Sequence, residues 1–93
     1  MPRYKMTVHG RVQGVGFRWT CLQIARKNGL NGLSGWVRNR ADGAVELEVQ
    51  GTNEAVAIFS SAIRRGNGYS LIDHIEMREM TEAAADTSFR VLY

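Results

Sequence analysis

A single tight hairpin signal, Asp42-Gly43, constrains the topology of this 93-residue chain more than any other feature. Asp-Gly between two strand-like runs favours a close chain reversal. After it, Ala44–Gln50 alternates cleanly, with Val45, Leu47 and Val49 on one face and Glu46, Glu48 and Gln50 on the other. Before it, Trp36–Arg40 sets Val37 and Asn39 on one face and Trp36, Arg38 and Arg40 on the opposite one. The other strand-like runs are too far apart for tight hairpins, so helices or longer loops must join them.

The rest of the chain supplies those pieces. Tyr4–Val8 alternates, with Tyr4, Met6 and Val8 inward and Lys5, Thr7 and His9 outward. Trp19–Asn28 predicts a helix that buries Cys21, Leu22, Ala25 and Ile24, with Asn28-Gly29 as its stop. Gly32–Gly35 is a turn-rich approach to the second strand. Thr52 or Asn53 can cap a second helix, whose core stripe is Val56, Phe59 and Ile63. Arg64 and Arg65 suit the negative end of that helix, and Gly66 suits its C-cap. Gly66–Ser70 is expected as a flexible loop, Leu71–Met80 as a strand, Thr81–Ser88 as a polar surface loop and Phe89–Leu92 as a short last strand. The order βαββαβ plus a final strand predicts an α+β, ferredoxin-like split βαβ domain spanning residues 1–93. Its antiparallel sheet carries both helices on one face, with the first and third strands central.

Composition narrows the function classes. The chain is 44% hydrophobic and 23% charged, which is ordinary for a soluble globular domain. A net charge of +3 is mildly basic and compatible with small anions or acidic partners. One cysteine, Cys21, excludes an internal disulfide framework and fits a reducing cytoplasm, the expected location. Charges interrupt every apolar run in Met1–Arg11, unlike a signal peptide, and no stretch approaches the roughly 20 apolar residues of a membrane span.

The chemistry concentrates in Gly10–Arg18, Gly-Arg-Val-Gln-Gly-Val-Gly-Phe-Arg, which leads straight into the first helix. Glycines let backbone amides turn toward a ligand, and successive amides form an anion-binding nest. A helix N-terminus adds free N–H donors and partial positive charge. Arg18 adds a planar cationic fork suited to phosphate oxygens. Together they describe an oxyanion cradle. It is no common nucleotide loop: a Walker loop needs glycine where Val15 stands, and a dinucleotide fingerprint from Gly14 needs glycine where Trp19 stands. Asn39, on the helix-covered face at the far end of the second strand, either needs a partner as a buried amide or simply bonds the hairpin turn.

Other residues carry little. Cys21 lies inside a helix, and a Cys-x5-Arg loop counted from it meets Lys27 instead of arginine. Two histidines, His9 and His74, with one cysteine argue against a metal cluster. Ser60 and Ser61 lie mid-helix, Asp42 serves its turn, and Arg38 and Arg40 read as a solvated strand face.

Gly10–Arg18, then Gly35-Trp36-Val37-Arg38-Asn39-Arg40, then Asp42-Gly43 and Val45-Glu46, resemble acylphosphatase over nearly the whole chain. The resemblance implies a small enzyme, free of cofactor and metal, that hydrolyses the carboxyl-phosphate bond of acyl phosphates. By position, it implies that Arg18 binds phosphate and that Asn39 orients the attacking water. It also implies that the backbone around Gln13, Gly14, Val15, Gly16, Phe17 and Arg18 cradles the phosphate. A small acyl phosphate is then the substrate and inorganic phosphate a product, with a monomer expected and no nucleic-acid or membrane partner. Two departures bear on loop shape more than chemistry: a slightly longer Lys27–Leu33 link, and Gly66-Asn67 where Gly-Pro is common. The competing class is a catalytically idle ferredoxin-like module that binds an anion or a partner. Ala44–Gln50 has no aromatic residue and two glutamates, which argues against RNA.

Overall fold

Three alternating apolar runs build the middle of one sheet. The computed structural model describes residues 1–26, 32–84 and 86–93. Its elements are β1 (Arg3–Arg11), α1 (Phe17–Arg26), β2 (Ser34–Asn39), β3 (Val45–Gln50), α2 (Asn53–Arg65), β4 (Leu71–Met80) and β5 (Phe89–Val91). The strands lie in the order β4-β1-β3-β2-β5, so β1 and β3 are central. Every pairing is antiparallel except β2 with β5, where the last strand adds a parallel edge.

Inward residues Met6, Val8, Val37, Val45, Leu47 and Val49 meet both helices in one core. α1 contributes Phe17, Cys21, Leu22 and Ala25; α2 contributes Val56, Phe59 and Ile63. Fully burying a large apolar side chain is worth about 1.5–3 kcal/mol, so these contacts fix both helices to the same face. α1 begins two residues earlier than the pattern suggests, because the Thr20 N–H already bonds the Gly16 carbonyl at 3.0 Å. Phe17 is buried, Trp19 is exposed and Ile24 is half-buried at the edge of the core. The expected Asn28-Gly29 stop lies outside the described residues. Thr52 caps α2 by accepting the Ala55 N–H, and Gly66 ends it at φ 65°.

The helix-free face is less solvated than simple alternation predicts. Glu46 and Gln50 point away from the helices, yet each is only about one-twentieth exposed. β3 is central, so its outward side chains have neighbours on both sides. Glu46 stands opposite Thr7 on β1 and Arg38 on β2, and it pairs with Arg38 and, at 3.4 Å, with Lys5. Arg3 bonds Glu48 at 2.7 Å and Asp86 at 3.0 Å, while Gln50 bonds the backbone of Ala83. These contacts pin the segment after β4 as it crosses to the far edge of the sheet.

Burial alone would raise the Glu46 carboxyl, but Arg38 and Lys5 outweigh it and hold the pKa below the ordinary 4.5. The folded state therefore binds this proton less readily than the unfolded chain. The resulting stabilisation is present above about pH 4.5 and is lost as pH falls through the lower folded value. Glu46→Gln is expected to lower stability at neutral pH by about 1–2 kcal/mol and to flatten its decline in acid. Urea denaturation at several pH values measures both effects.

Candidate active site

At the end of β1 the chain buries Val12 and then turns through residues 13–16. Gly14 and Gly16 adopt φ +74° and +76°, the left-handed region that side chains with a Cβ seldom occupy. Gly16 then opens α1: its carbonyl accepts both the N–H and the hydroxyl of Thr20 at 3.0 Å. The N–H groups of Phe17, Arg18 and Trp19 precede that first intrahelical bond and are free to meet an anion. α2 answers its own positive end with Thr52 and Glu54, whereas α1 has no acidic residue in its first turn. The N-terminal charge of α1 is left for something outside the helix.

Phe17, 1% exposed, anchors the start of α1 in the core and thereby places Arg18 at its rim. The Arg18 guanidinium donates to the Leu92 carbonyl at 3.3 Å and lies 4.9 Å from the centre of the Tyr93 ring. Asn39 sits at the end of β2 on the inward side, with Val37. Its Oδ1 is buried and, among the described residues, has no hydrogen-bond partner. A cleft of about 150 Å³ brings Gly14, Gly16, Phe17, Arg18 and Asn39 together, with Val12, Trp19, Val91 and Tyr93 completing its wall. Among the described residues, no carboxylate or imidazole side chain lines it.

Gln13 and Val15, whose backbone is expected in the cradle, also carry contacts that brace it. The Gln13 side-chain amide donates to the carbonyls of Arg40 at 2.6 Å and Ala44 at 2.9 Å. Gln13, and not Asn39, therefore bonds the hairpin. That turn is a three-residue loop over 41–43, closed by the Arg40 N–H on the Ala44 carbonyl. Asp42 accepts the Ala44 N–H; this bond, together with Arg40, holds its carboxyl below the usual range. The Val15 carbonyl accepts from the Asn67 side chain at 2.9 Å.

Burial pushes the Cys21 thiol up to about 12, so it remains protonated on the inner side of α1 and offers no nucleophile. His9 and His74 face each other across β1 and β4 on the helix-free side of the sheet.

A sequence profile of the Acylphosphatase family matches residues 4–91. The chain belongs to the acylphosphatase family. It is 39% identical to an acylphosphatase of Bacillus licheniformis over the full length of both chains. Over 76 residues it is 49% identical to an acylphosphatase of Nitratidesulfovibrio vulgaris, covering 81% of this chain and 72% of that one. A crystal structure of acylphosphatase from Bacillus subtilis superposes with a TM-score of 0.90 at 35% identity, covering both chains entirely. The enzyme class follows: an acylphosphatase-type hydrolase. No helix among the described residues is long and apolar enough to cross a membrane.

Sequence reasoning missed two supports of this acylphosphatase cleft. One is the C-terminal end, where Leu92 and Tyr93 hold Arg18; no local pattern at those positions signals it. The other is Asn67, within the segment expected to be a flexible loop away from the site. Its Nδ2 donates to the Val15 carbonyl and the Thr20 hydroxyl, and its Oδ1 accepts the N–H groups of Tyr69 and Ser70. The Gly66-Asn67 departure from the family pattern thus lies directly against the glycine turn.

Removing the Gln13 clamp is expected to cost about 1–2 kcal/mol, because both carbonyls keep a backbone donor. Gln13→Ala should lower the Tm by about 5–10 °C. Calorimetry checks this; an unchanged Tm would show that the clamp carries no load.

Proposed function

We propose that the chain hydrolyses small acyl phosphates in the 150 Å³ cleft, with Arg18 and the turn amides binding the phosphoryl group and Asn39 orienting water. The supporting observation is the meeting of Arg18, the open N-terminus of α1 and the unpartnered Asn39 Oδ1 around one small cleft. An unsatisfied buried acceptor costs about 1–3 kcal/mol. Such an acceptor persists where a donor is to be held, and a nucleophilic water is a donor of the right size.

The chemistry asks little of the protein. Water attacks phosphorus in line, the bond from phosphorus to the carboxylate oxygen breaks, and the bonding pair leaves with the carboxylate. Carboxylic acids have pKa values near 4, so this leaving group departs without a general acid. The loose transition state spreads charge over the equatorial oxygens. The N–H groups of Phe17 and Trp19, the Gly14–Gly16 turn and the Arg18 fork stabilise that charge without reorganising. Asn39 fixes the water by geometry, since an amide is no base at neutral pH. The water's proton passes to a phosphate oxygen, and inorganic phosphate leaves. Trp19 and Tyr93 flank the cleft with exposed aromatic surface on which an acyl chain can rest. On this reading one domain acts alone, as a monomer in the cytoplasm and without nucleic acid.

Benzoyl phosphate hydrolysis, with inorganic phosphate as inhibitor, tests the assignment. Arg18→Lys is expected to lose on the order of 10²–10³ in rate, because ammonium cannot reproduce the two-pronged contact. Near-normal turnover in that variant would rule out a bidentate role. Asn39→Ala should lower kcat while leaving inhibition by phosphate intact; loss of that inhibition in a folded variant would reassign Asn39 to phosphate binding. Saturable ligand binding by the wild-type chain without any turnover would favour the idle module.

A further inference from the structure

We propose that His9, His74 and Glu76 form a binding site for a divalent metal ion of the zinc class on the helix-free face of the sheet. The three residues are assembled by strand pairing. His9 on β1 stands directly opposite His74 on β4, and Glu76 follows His74 by two residues, hence on the same face. Opposed residues on an antiparallel pair have Cβ atoms about 5 Å apart, which suits two imidazoles sharing one ion. One potential ligand atom from each residue lies within 4.8 Å of the others.

The distances favour coordination over an ordinary ion pair. Both imidazole Nε2 atoms face the same carboxylate oxygen of Glu76, at 3.6 Å from His9 and 3.9 Å from His74. Neither is a hydrogen bond. Ligands about 2.1 Å from a tetrahedral zinc ion stand about 3.4 Å apart, so a small closure around a common centre satisfies all three. His9 Nε2 is buried and has no hydrogen-bond partner among the described residues. Among those residues, no lysine or arginine lies within 4 Å of the Glu76 carboxylate, which faces only the two imidazoles. The rings now stack at 4.3 Å with 11° between their planes and must tilt to converge on an ion. The His74 side chain is 60% exposed and has room to do so.

Two imidazoles and a carboxylate select zinc, copper, nickel or cobalt over magnesium and calcium. Three protein ligands leave a fourth position for water. The site lies on the opposite side of the sheet from Asn39, and its occupation does not depend on acyl phosphate chemistry. The register shifts after the His9–His74 pair, leaving Asp73 of β4 unpaired, so an ion here would clamp β1 to β4 just before β1 turns off into the glycine loop.

Calorimetric titration of Zn²⁺ into the tag-free protein, in phosphate-free buffer at neutral pH, is the test. One equivalent with a micromolar Kd is expected, and Co²⁺ should give visible ligand-field absorption. His74→Ala and Glu76→Gln should each weaken Zn²⁺ binding by more than the ~10-fold typical of losing an outer-shell partner. Both positions are exposed, so circular dichroism and benzoyl phosphate turnover should match wild type. Absence of saturable Zn²⁺ binding by the wild-type chain would overturn the site, as would equally tight binding by both variants.

Discussion

One side-chain amide holds the site together. Gln13 leaves the glycine turn and reaches the carbonyls of Arg40 and Ala44, 27 and 31 residues further along the chain. Arg40 is the residue after Asn39. The same amide therefore sets the separation between the glycine turn, proposed to hold the phosphoryl group, and the strand end that carries the unpartnered oxygen. Catalysis by positioning depends on such separations, because misplacement by an ångström can cost about 10²-fold in rate. Asn67 braces the other side of the turn through the Val15 carbonyl, while its Oδ1 accepts the Tyr69 and Ser70 N–H groups of its own loop.

The clamp matters because the turn is costly to maintain. It combines two glycines at positive φ with a helix start that has no acidic residue in its first turn. N–H donors at a helix start gain their value from being fixed in advance, so that charge developing on a phosphoryl oxygen meets a field that need not rearrange. Arg18 is held in place too: the Leu92 carbonyl and the Tyr93 ring fix its guanidinium at the cleft. The buried Phe17 next to it ties this arrangement to the apolar core.

Much of the fold was legible in the sequence because the core strands alternate without interruption. Met6, Val8, Val45, Leu47 and Val49 gave the inner face, and Asp42-Gly43 gave the one hairpin from which the crossovers follow. The cradle and the Gly-Trp-Val-Arg-Asn-Arg strand also pointed to the acylphosphatase family. Longer-range details were not legible. Alternation says that Glu46 points outward, but not that Lys5 and Arg38 on flanking strands will enclose it. Turn chemistry made Asn39 a candidate to bond the hairpin; the competing amide of Gln13, remote in sequence, took that role. Nor does a local pattern reveal that Asn67 touches Val15, or that the last two residues support Arg18.

The most direct measurement of the central claim follows backbone amide resonances by NMR during titration with inorganic phosphate. If the turn and helix start hold the anion, saturable shifts should concentrate on the amides of Gly14 to Trp19 and on the Arg18 Nε–H. Weaker changes are expected at the Asn39 side chain. Saturable shifts located elsewhere, with this stretch unmoved, would contradict it.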